Sequence, residues 1–352
     1  MTKQLNLIRE HSSNGLPFVW YRVPNGSQVH VMLQNNNEVY TYEPQNKLNG
    51  YVFAPFDKNR SMILFPDNQC KNLTVGLWRT SWKKLDPTKI SEDDQIDYEK
   101  IISEVIKSFS SDGLQKLVLS RRVDYLVDSL DAFSAFSALA NSYLNAYAYC
   151  VFHPAVGLWM GATPEPLAHV KDGQLTTVAL AGTRMVRERN NTEWGKKESL
   201  EQQMVVDDIS NVLEPYAEEY QQSEKETIRS AHLEHLRTEV SIKLKDNYYS
   251  EYLKVARQLH PTAAVCGLPR SLSYSKIVNL ERYQRSFYAG FLGKVKESEG
   301  HLDLYVNLRC MTFQNGVLSL FAGGGITEDS NPTDEYYETE QKLDTLRTIL
   351  FS

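Results

Sequence analysis

This chain offers little for a disulfide framework, a membrane span or a nucleic-acid surface. It has 4 cysteines in 352 residues, at Cys70, Cys150, Cys266 and Cys310, with no CxxC pair. Thiols so scattered read as buried or incidental groups in a reducing compartment. No apolar run is long enough to cross a bilayer, and the opening stretch MTKQLNLIREHSSNGLPF lacks the apolar core of a signal peptide. A cytoplasmic protein with no membrane partner is the expectation. The 38 Lys and Arg are outnumbered by 44 Asp and Glu, for a formal net charge of -6, and no basic run interrupts that balance. Nucleic acid is therefore excluded as the main partner, and any anionic substrate has to be met by local cations. Low-complexity linkers are missing too. The expectation is a single integrated domain over 1–352, with enough chain for a large core.

What is present begins with β-structure. Residues 1–94 alternate short runs such as GLPFVWYRV, SQVHVML and RSMILF with Asn-, Gly- and Pro-rich turns. The stripe Ile101, Ile102, Val105, Ile106 and Phe109 predicts a helix over 97–109. KLVLSRRVDYLV then reads as a strand, and helices are expected near 131–144, 196–220, 246–258, 272–284 and 332–350. Two hairpins stand out, turning at Asp172-Gly173 and Asn315-Gly316, dipeptides that favour tight primed turns. Counting back from the turns sets Glu165 opposite about Leu180 and Arg309 opposite about Ala322. Each hairpin thus faces one charged residue with an Ala-Gly step, as if two sheet halves met at one site. Hairpins imply antiparallel pairing, and the fold class expected is α+β.

The last fifty residues carry the densest chemistry. LFAGGGITEDS runs into NPTDEYYETEQKLDTL, where Asn331 can cap a helix, Pro332 suits its first turn, and Asp334 and Glu335 suit its positive end. Glu335, Glu338 and Lys342 share one helical face. The glycines before them let backbone approach whatever that face holds, and a metal with an anionic ligand would fit. On spacing alone, a solvated helix surface is the commoner meaning of such a pattern. Lys116 opens its strand on the side of Val118 and Ser120. A lysine taken out of water favours the neutral amine, which can accept a proton; at a strand end it can equally snorkel to solvent. Glu198, Glu201 and Asp208 form an acidic face, and His232, His235 and Glu239 have a weak zinc-like spacing. A phosphate loop is disfavoured, because no GKS or GKT follows AGGGI and the next helix opens with acids.

Ten segments in order, KLVLSRR, GATPEPL, VALAGTR, KKESLEQQMVVDDI, LEHLRTEV, HPTAAVCGLP, RSFYAGFLG, YVNLRCM, FAGGGI and DEYYETEQKL, resemble the chorismate-utilising enzymes, and within them the isochorismate synthases. The likeness covers residues 95–352 as a chorismate-binding core; 1–94 match only loosely. It implies two face-packed antiparallel β-sheets with outer helices. It also implies a base at Lys116, which activates water for attack at C2 of chorismate, and an acid at Glu165, which protonates the departing 4-hydroxyl. Glu201 and Glu338 match magnesium ligands, with Glu198 and Glu335 in supporting positions. Arg309 and Lys342 match the cations for the enolpyruvyl carboxylate, helped by backbone at Gly323. His235, Ala264, Val265 and Tyr288 match positions lining the substrate.

The chemistry suits these residue types. Exchange of one allylic hydroxyl for another needs a base and an acid at separate points, and the dianionic substrate needs a hard cation plus an arginine fork. The resemblance further discriminates by single residues. Ammonia-using members generally have Gln at the position of Lys116, and aminodeoxychorismate synthases have Lys at that of Ala181. Salicylate synthases tend to have Thr at that of Ala264. Hydroxyl transfer that stops at isochorismate is expected, with no glutaminase subunit, and a monomer is the simplest arrangement. Salicylate synthase and an anthranilate-type lyase are the alternatives. Gln202 departs from the usual Glu-His pair of the metal helix, and Cys266 stands where Ser is frequent.

Overall fold

The computed structural model describes residues 2–42, 48–90, 95–185, 193–230, 233–248 and 251–352. Two sheets of 10 strands each form its centre, and every strand pair within them is antiparallel. One sheet holds the strand Lys116–Leu126, here the lysine strand, paired to Val317–Ile326, the glycine strand. It continues through Cys310–Gln314, Gly157–Thr163 and Tyr147–His153 to the N-terminal strands Phe18–Arg22, Gln28–Gln34 and Cys70–Gly76. The second sheet runs from Ala217–Gln222 through Leu233–Leu244, Gln174–Met185, Pro166–Lys171, His301–Val306 and Phe291–Lys296 to Asn49–Ala54 and Ile63–Pro66. Strands from the first hundred residues therefore build the far ends of both sheets.

Period-two alternation explains why FVWYR is buried along its whole length. Val19 and Tyr21 point between the sheets, while Phe18 and Trp20 point outward into a second core beneath the helix Ala132–Ser142. Aromatic rings lock the sheets face to face. Tyr147 of the first sheet stacks on Tyr305 of the second at 4.0 Å, and its hydroxyl donates to Tyr51 at 3.2 Å. Phe53 stacks on Phe287 at 4.1 Å and meets the edge of Trp159 at 5.9 Å.

Both hairpin turns form as the dipeptides demand, with positive φ at Asp172, Gly173, Asn315 and Gly316. Their registers match the count from the sequence, with His169 opposite Thr176 and Met311 opposite Leu320. Pairing stops there, however, before Glu165 and Arg309 are reached. Arg309 turns out of the ladder with a left-handed φ of 48°. The helix Gln95–Asp112 contains the predicted stripe, and Pro332–Leu350 is capped by the Asn331 side chain accepting from Thr333 and Asp334 amides.

Three helix expectations need correction. The helix of 196–220 ends at Leu213, because Pro215 closes it in a 3-10 turn and Ala217–Gln222 then pairs as an edge strand. Of 246–258, only Tyr252–Gln258 is α-helical, after a short turn at Asp246–Tyr248. The third helix spans Arg270–Leu280, starting just after Pro269, which occupies the cap.

The stacked aromatics give the sheet interface a test. Phe53→Ala removes a fully buried ring, and is expected to cost about 3–5 kcal/mol in denaturant unfolding. A loss below about 1 kcal/mol would show that the rings do not join the sheets.

Candidate active site

Four elements converge on one end of the inter-sheet cleft: the lysine strand, the glycine strand, the helix Lys196–Leu213 (the acidic helix) and the C-terminal helix Pro332–Leu350. Lys116 is anchored first through its backbone. It pairs with Leu268, and its carbonyl accepts from Ser273 Oγ at 3.1 Å. Its side chain is fully buried, so the strand-end lysine does not snorkel. Nζ stands 3.0 Å from Glu201 Oε1 on the acidic helix. Both groups cross over Gly325, where an added Cβ would lie 2.5 Å from that oxygen and 3.2 Å from Lys116 Cε. Only glycine leaves room for this pair.

Two more ammonium–carboxylate pairs flank the first. Lys342 donates to Glu338 Oε1 at 2.6 Å and to the Gly323 carbonyl at 2.7 Å. Lys197, one turn before Glu201, pairs with Glu335 Oε1, which also accepts from Ser330 Oγ at 2.8 Å. Glu335 is 1% exposed, and its Oε2 has no hydrogen-bond partner among the described residues. Burial raises the Glu335 carboxyl to about 7, aided by the charge of Glu338 and opposed by Lys197. At Glu201, burial pushes upward as well, but Lys116, Lys197 and Lys342 outweigh it and hold the carboxyl below its ordinary value.

Across the cleft, Glu165 sits where the chain passes from the strand Gly157–Thr163 in one sheet to Pro166–Lys171 in the other. Burial lifts its carboxyl to about 7, against the pull of Lys116, Lys342 and Arg309. The group is therefore substantially protonated near neutrality. Arg309 makes one hydrogen bond among the described residues, to Thr345 Oγ1 at 3.1 Å, and keeps the rest of its fork for a ligand. His235 is lowered to about 3 by burial and then by Arg309 and Lys342, so it is a neutral imidazole. Tyr288 stacks on Phe321 with ring centroids 5.3 Å apart, which fixes one wall.

The side chains as they stand leave a cavity of about 80 Å³ in the cleft. Its lining includes Glu165, Glu201, His235, Ala264, Val265, Tyr288, Arg309, Gly323, Glu338 and Lys342. Ala181 and Ala322 line it too, so the Ala-Gly steps of both hairpins meet at one site. Lys116 lies just behind Glu201 and Gly325. Glu198 is set apart, since its carboxylate lies back against Gly195 at the start of its own helix. Asp208 is also elsewhere, paired with Arg270. His235 and Glu239 lie on the strand Leu233–Leu244 and not on a helix, which puts them about 13 Å apart along one face, with Glu239 held by Arg237, so they do not share a ligand. His232 lies outside the described residues. Sequence reasoning gave no role to Lys197, although its i, i+4 spacing from Glu201 placed both on one face.

The residues present fit a hard divalent cation. Glu201, Glu335 and Glu338 offer oxygen donors from two helices, Lys197 feels the charge of all three, and Glu335 Oε2 is buried with a vacant lone pair. As the side chains stand, each carboxylate has an ammonium partner, and among the described residues no three acids, histidines or thiols are grouped tightly enough to chelate. A metal would have to displace those ammonium groups. Gln202 is buried and donates to Thr238 Oγ1 at 2.7 Å, tying the acidic helix to the sheet.

A carboxyl with a raised pKa and an arginine fork line the cleft, and a buried amine stands behind its wall; such groups can act as acid, base and anion partner. The chorismate binding enzyme model matches residues 70–351, and the chain belongs to that family. It is 31% identical over 262 residues to the salicylate biosynthesis isochorismate synthase of Pseudomonas aeruginosa, covering 72% of this chain and 54% of that protein. It is 30% identical over 277 residues to anthranilate synthase component 1 of Saccharolobus solfataricus, covering 72% of this chain and 62% of the other. The chain thus spans less than two thirds of the length of these relatives. The structure of MenF, the menaquinone-specific isochorismate synthase from Escherichia coli, superposes with a TM-score of 0.82 at 24% identity. That match covers 99% of this chain and 91% of the other, and it establishes the shared two-sheet fold. No helix among the described residues is long and apolar enough to cross a membrane.

The raised carboxyl of Glu165 makes a signed prediction. Its folded value near 7 exceeds the ordinary 4.5, so its contribution is intact below about 4.5 and is lost as pH rises through about 7. Glu165→Gln removes the ionisation. It is expected to stabilise the fold by up to about 3 kcal/mol at about pH 8 and by nothing comparable at about pH 4, measured as denaturant midpoints. An equal gain at both pH values would mean that Glu165 titrates normally.

Proposed function

We propose that this chain isomerises chorismate to isochorismate, adding water at C2 and releasing the 4-hydroxyl, with magnesium as cofactor and in the service of menaquinone or siderophore biosynthesis. One observation carries the reading. A carboxyl with a raised pKa, Glu165, lines the cleft between two strands, and a fully buried amine, Lys116, stands just behind the cleft wall, close enough for its charge to act on that carboxyl. The family match and the names of the relatives, among them isochorismate synthases, support that assignment.

In this reading Lys116 is the base. Having first released its ammonium proton to solvent, the neutral amine leaves Glu201 and takes a proton from the water that attacks C2. Glu165 donates its proton to the 4-hydroxyl, which leaves as water, so one water enters for each that departs. Arg309, with its unsatisfied fork, and Lys342 receive the enolpyruvyl carboxylate, and the Gly323 backbone approaches the same group. Neutral His235 and the Tyr288 ring bound the cyclohexadiene, while Ala264 and Val265 leave space beside it. Glu201 and Glu338 would hold magnesium, with Glu335 beside them; Glu198 would have to swing off Gly195 to join. When bound, the ion supplies positive charge for the ring carboxylate. No glutaminase partner is required, because the nucleophile is water.

Purified chain, chorismate and magnesium, followed by chromatography of the products, tests the reading. Isochorismate is expected; anthranilate with added ammonia, or salicylate with pyruvate, would assign one of the lyase reactions instead. Lys116→Ala should keep the fold at some cost in stability, since it leaves Glu201 without its nearest cation, and lose about 10²–10⁴-fold in turnover. Undiminished turnover in that variant would remove Lys116 from the chemistry.

A further inference from the structure

Lys197 takes no part in the reaction above, yet its ammonium feels three carboxylates of the site. It occupies the first turn of the acidic helix, the positive end of the helix dipole, where a cation is unfavourable. Helix stability therefore does not explain its presence. Its Nζ reaches across to the C-terminal helix and pairs with Glu335, which is 1% exposed and has a second carboxylate oxygen without a partner among the described residues. Glu338 and Glu201 lie close enough for their charges to act on the same ammonium. Lys116 and Lys342 have other anchors or tasks, one at the base position and the other on the Gly323 carbonyl. With all three carboxyls ionised, Glu201, Glu335 and Glu338 are matched one for one by Lys116, Lys197 and Lys342.

We propose that Lys197 is a resident counter-cation, whose ammonium neutralises Glu335 until a divalent ion takes over that charge, so that lysine and metal compete for the same carboxylate cluster. The inference rests on the metal-binding half of the proposed function. It follows from the cost of leaving a buried carboxylate uncompensated. Without the lysine, the metal-free chain would carry an extra negative charge inside the cleft. With the lysine, the entering ion has to push one ammonium toward solvent, and the Lys197 side chain, 27% exposed, has a route there. A mere staple between the two helices would behave otherwise, since its removal would weaken the site and not sharpen it.

The experiment titrates Mg²⁺ alone, without chorismate, into the full chain and into Lys197→Met by calorimetry, with thermal midpoints recorded with and without the ion. Lys197→Met is expected to bind Mg²⁺ about tenfold more tightly than the parent and to gain more in midpoint from saturating Mg²⁺. Lys197→Arg, which keeps the charge, should bind like the parent. A Lys197→Met chain that folds only when Mg²⁺ is added also supports the proposal. Unchanged or weaker affinity overturns it, as does a variant that stays unfolded at saturating Mg²⁺. If neither parent nor variant binds Mg²⁺, the metal half of the functional reading falls as well. Binding by the parent with no tightening in Lys197→Met sinks the counter-cation alone.

Discussion

Ionised carboxylates leave water only when cations go with them, and three such pairs close one end of the cleft between the sheets. Lys116 with Glu201 joins the lysine strand to the acidic helix, Lys197 with Glu335 joins the two helices, and Lys342 with Glu338 lies within the C-terminal helix. Removing any one member strands a charge in a place where water cannot repair it, so the pairs constrain one another. Their even count also bears on ligands. A dianion and a divalent cation entering together leave the balance unchanged, whereas either one alone upsets it. The cluster is thus an electrostatic frame as much as a set of ligands.

The sheets make this frame possible by delivering each group from a rigid element. Glycine at 325 lets the first pair cross the strand backbone, and the left-handed turn at Arg309 swings a guanidinium out of a ladder that would otherwise hold it in register. Glu165 stands at the passage from one sheet to the other, sheltered enough to keep its proton. Rigid placement would let an acid and a base act at separate points of one bound ligand.

Much of this was legible in the sequence, for definite reasons. Asp172-Gly173 and Asn315-Gly316 fix turns by backbone conformation alone, so their hairpins could be registered by counting. Asn331 and Pro332 announced the C-terminal helix. Long-range partners were harder. The distance from 197 to 335 hides an ion pair that exists only because two helices meet, and the spacing of Glu198 gave no sign that its carboxylate lies back against Gly195. The helix read through to 220 ignored Pro215, a breaker visible in the sequence, because the acidic residues beyond it suit an exposed helix equally well. His235 and Glu239 carried a helical spacing that strand geometry cancels. Pattern gave the residues; packing decided which of them meet.

The account's central claim is that the hydroxyl appearing at C2 comes from solvent water while the one at C4 is expelled. Running the reaction in H₂¹⁸O and analysing the isochorismate by mass spectrometry and carbon NMR tests it most directly. One ¹⁸O at C2 in each product molecule formed is the predicted result. Unlabelled isochorismate, formed by migration of the original hydroxyl, would contradict it.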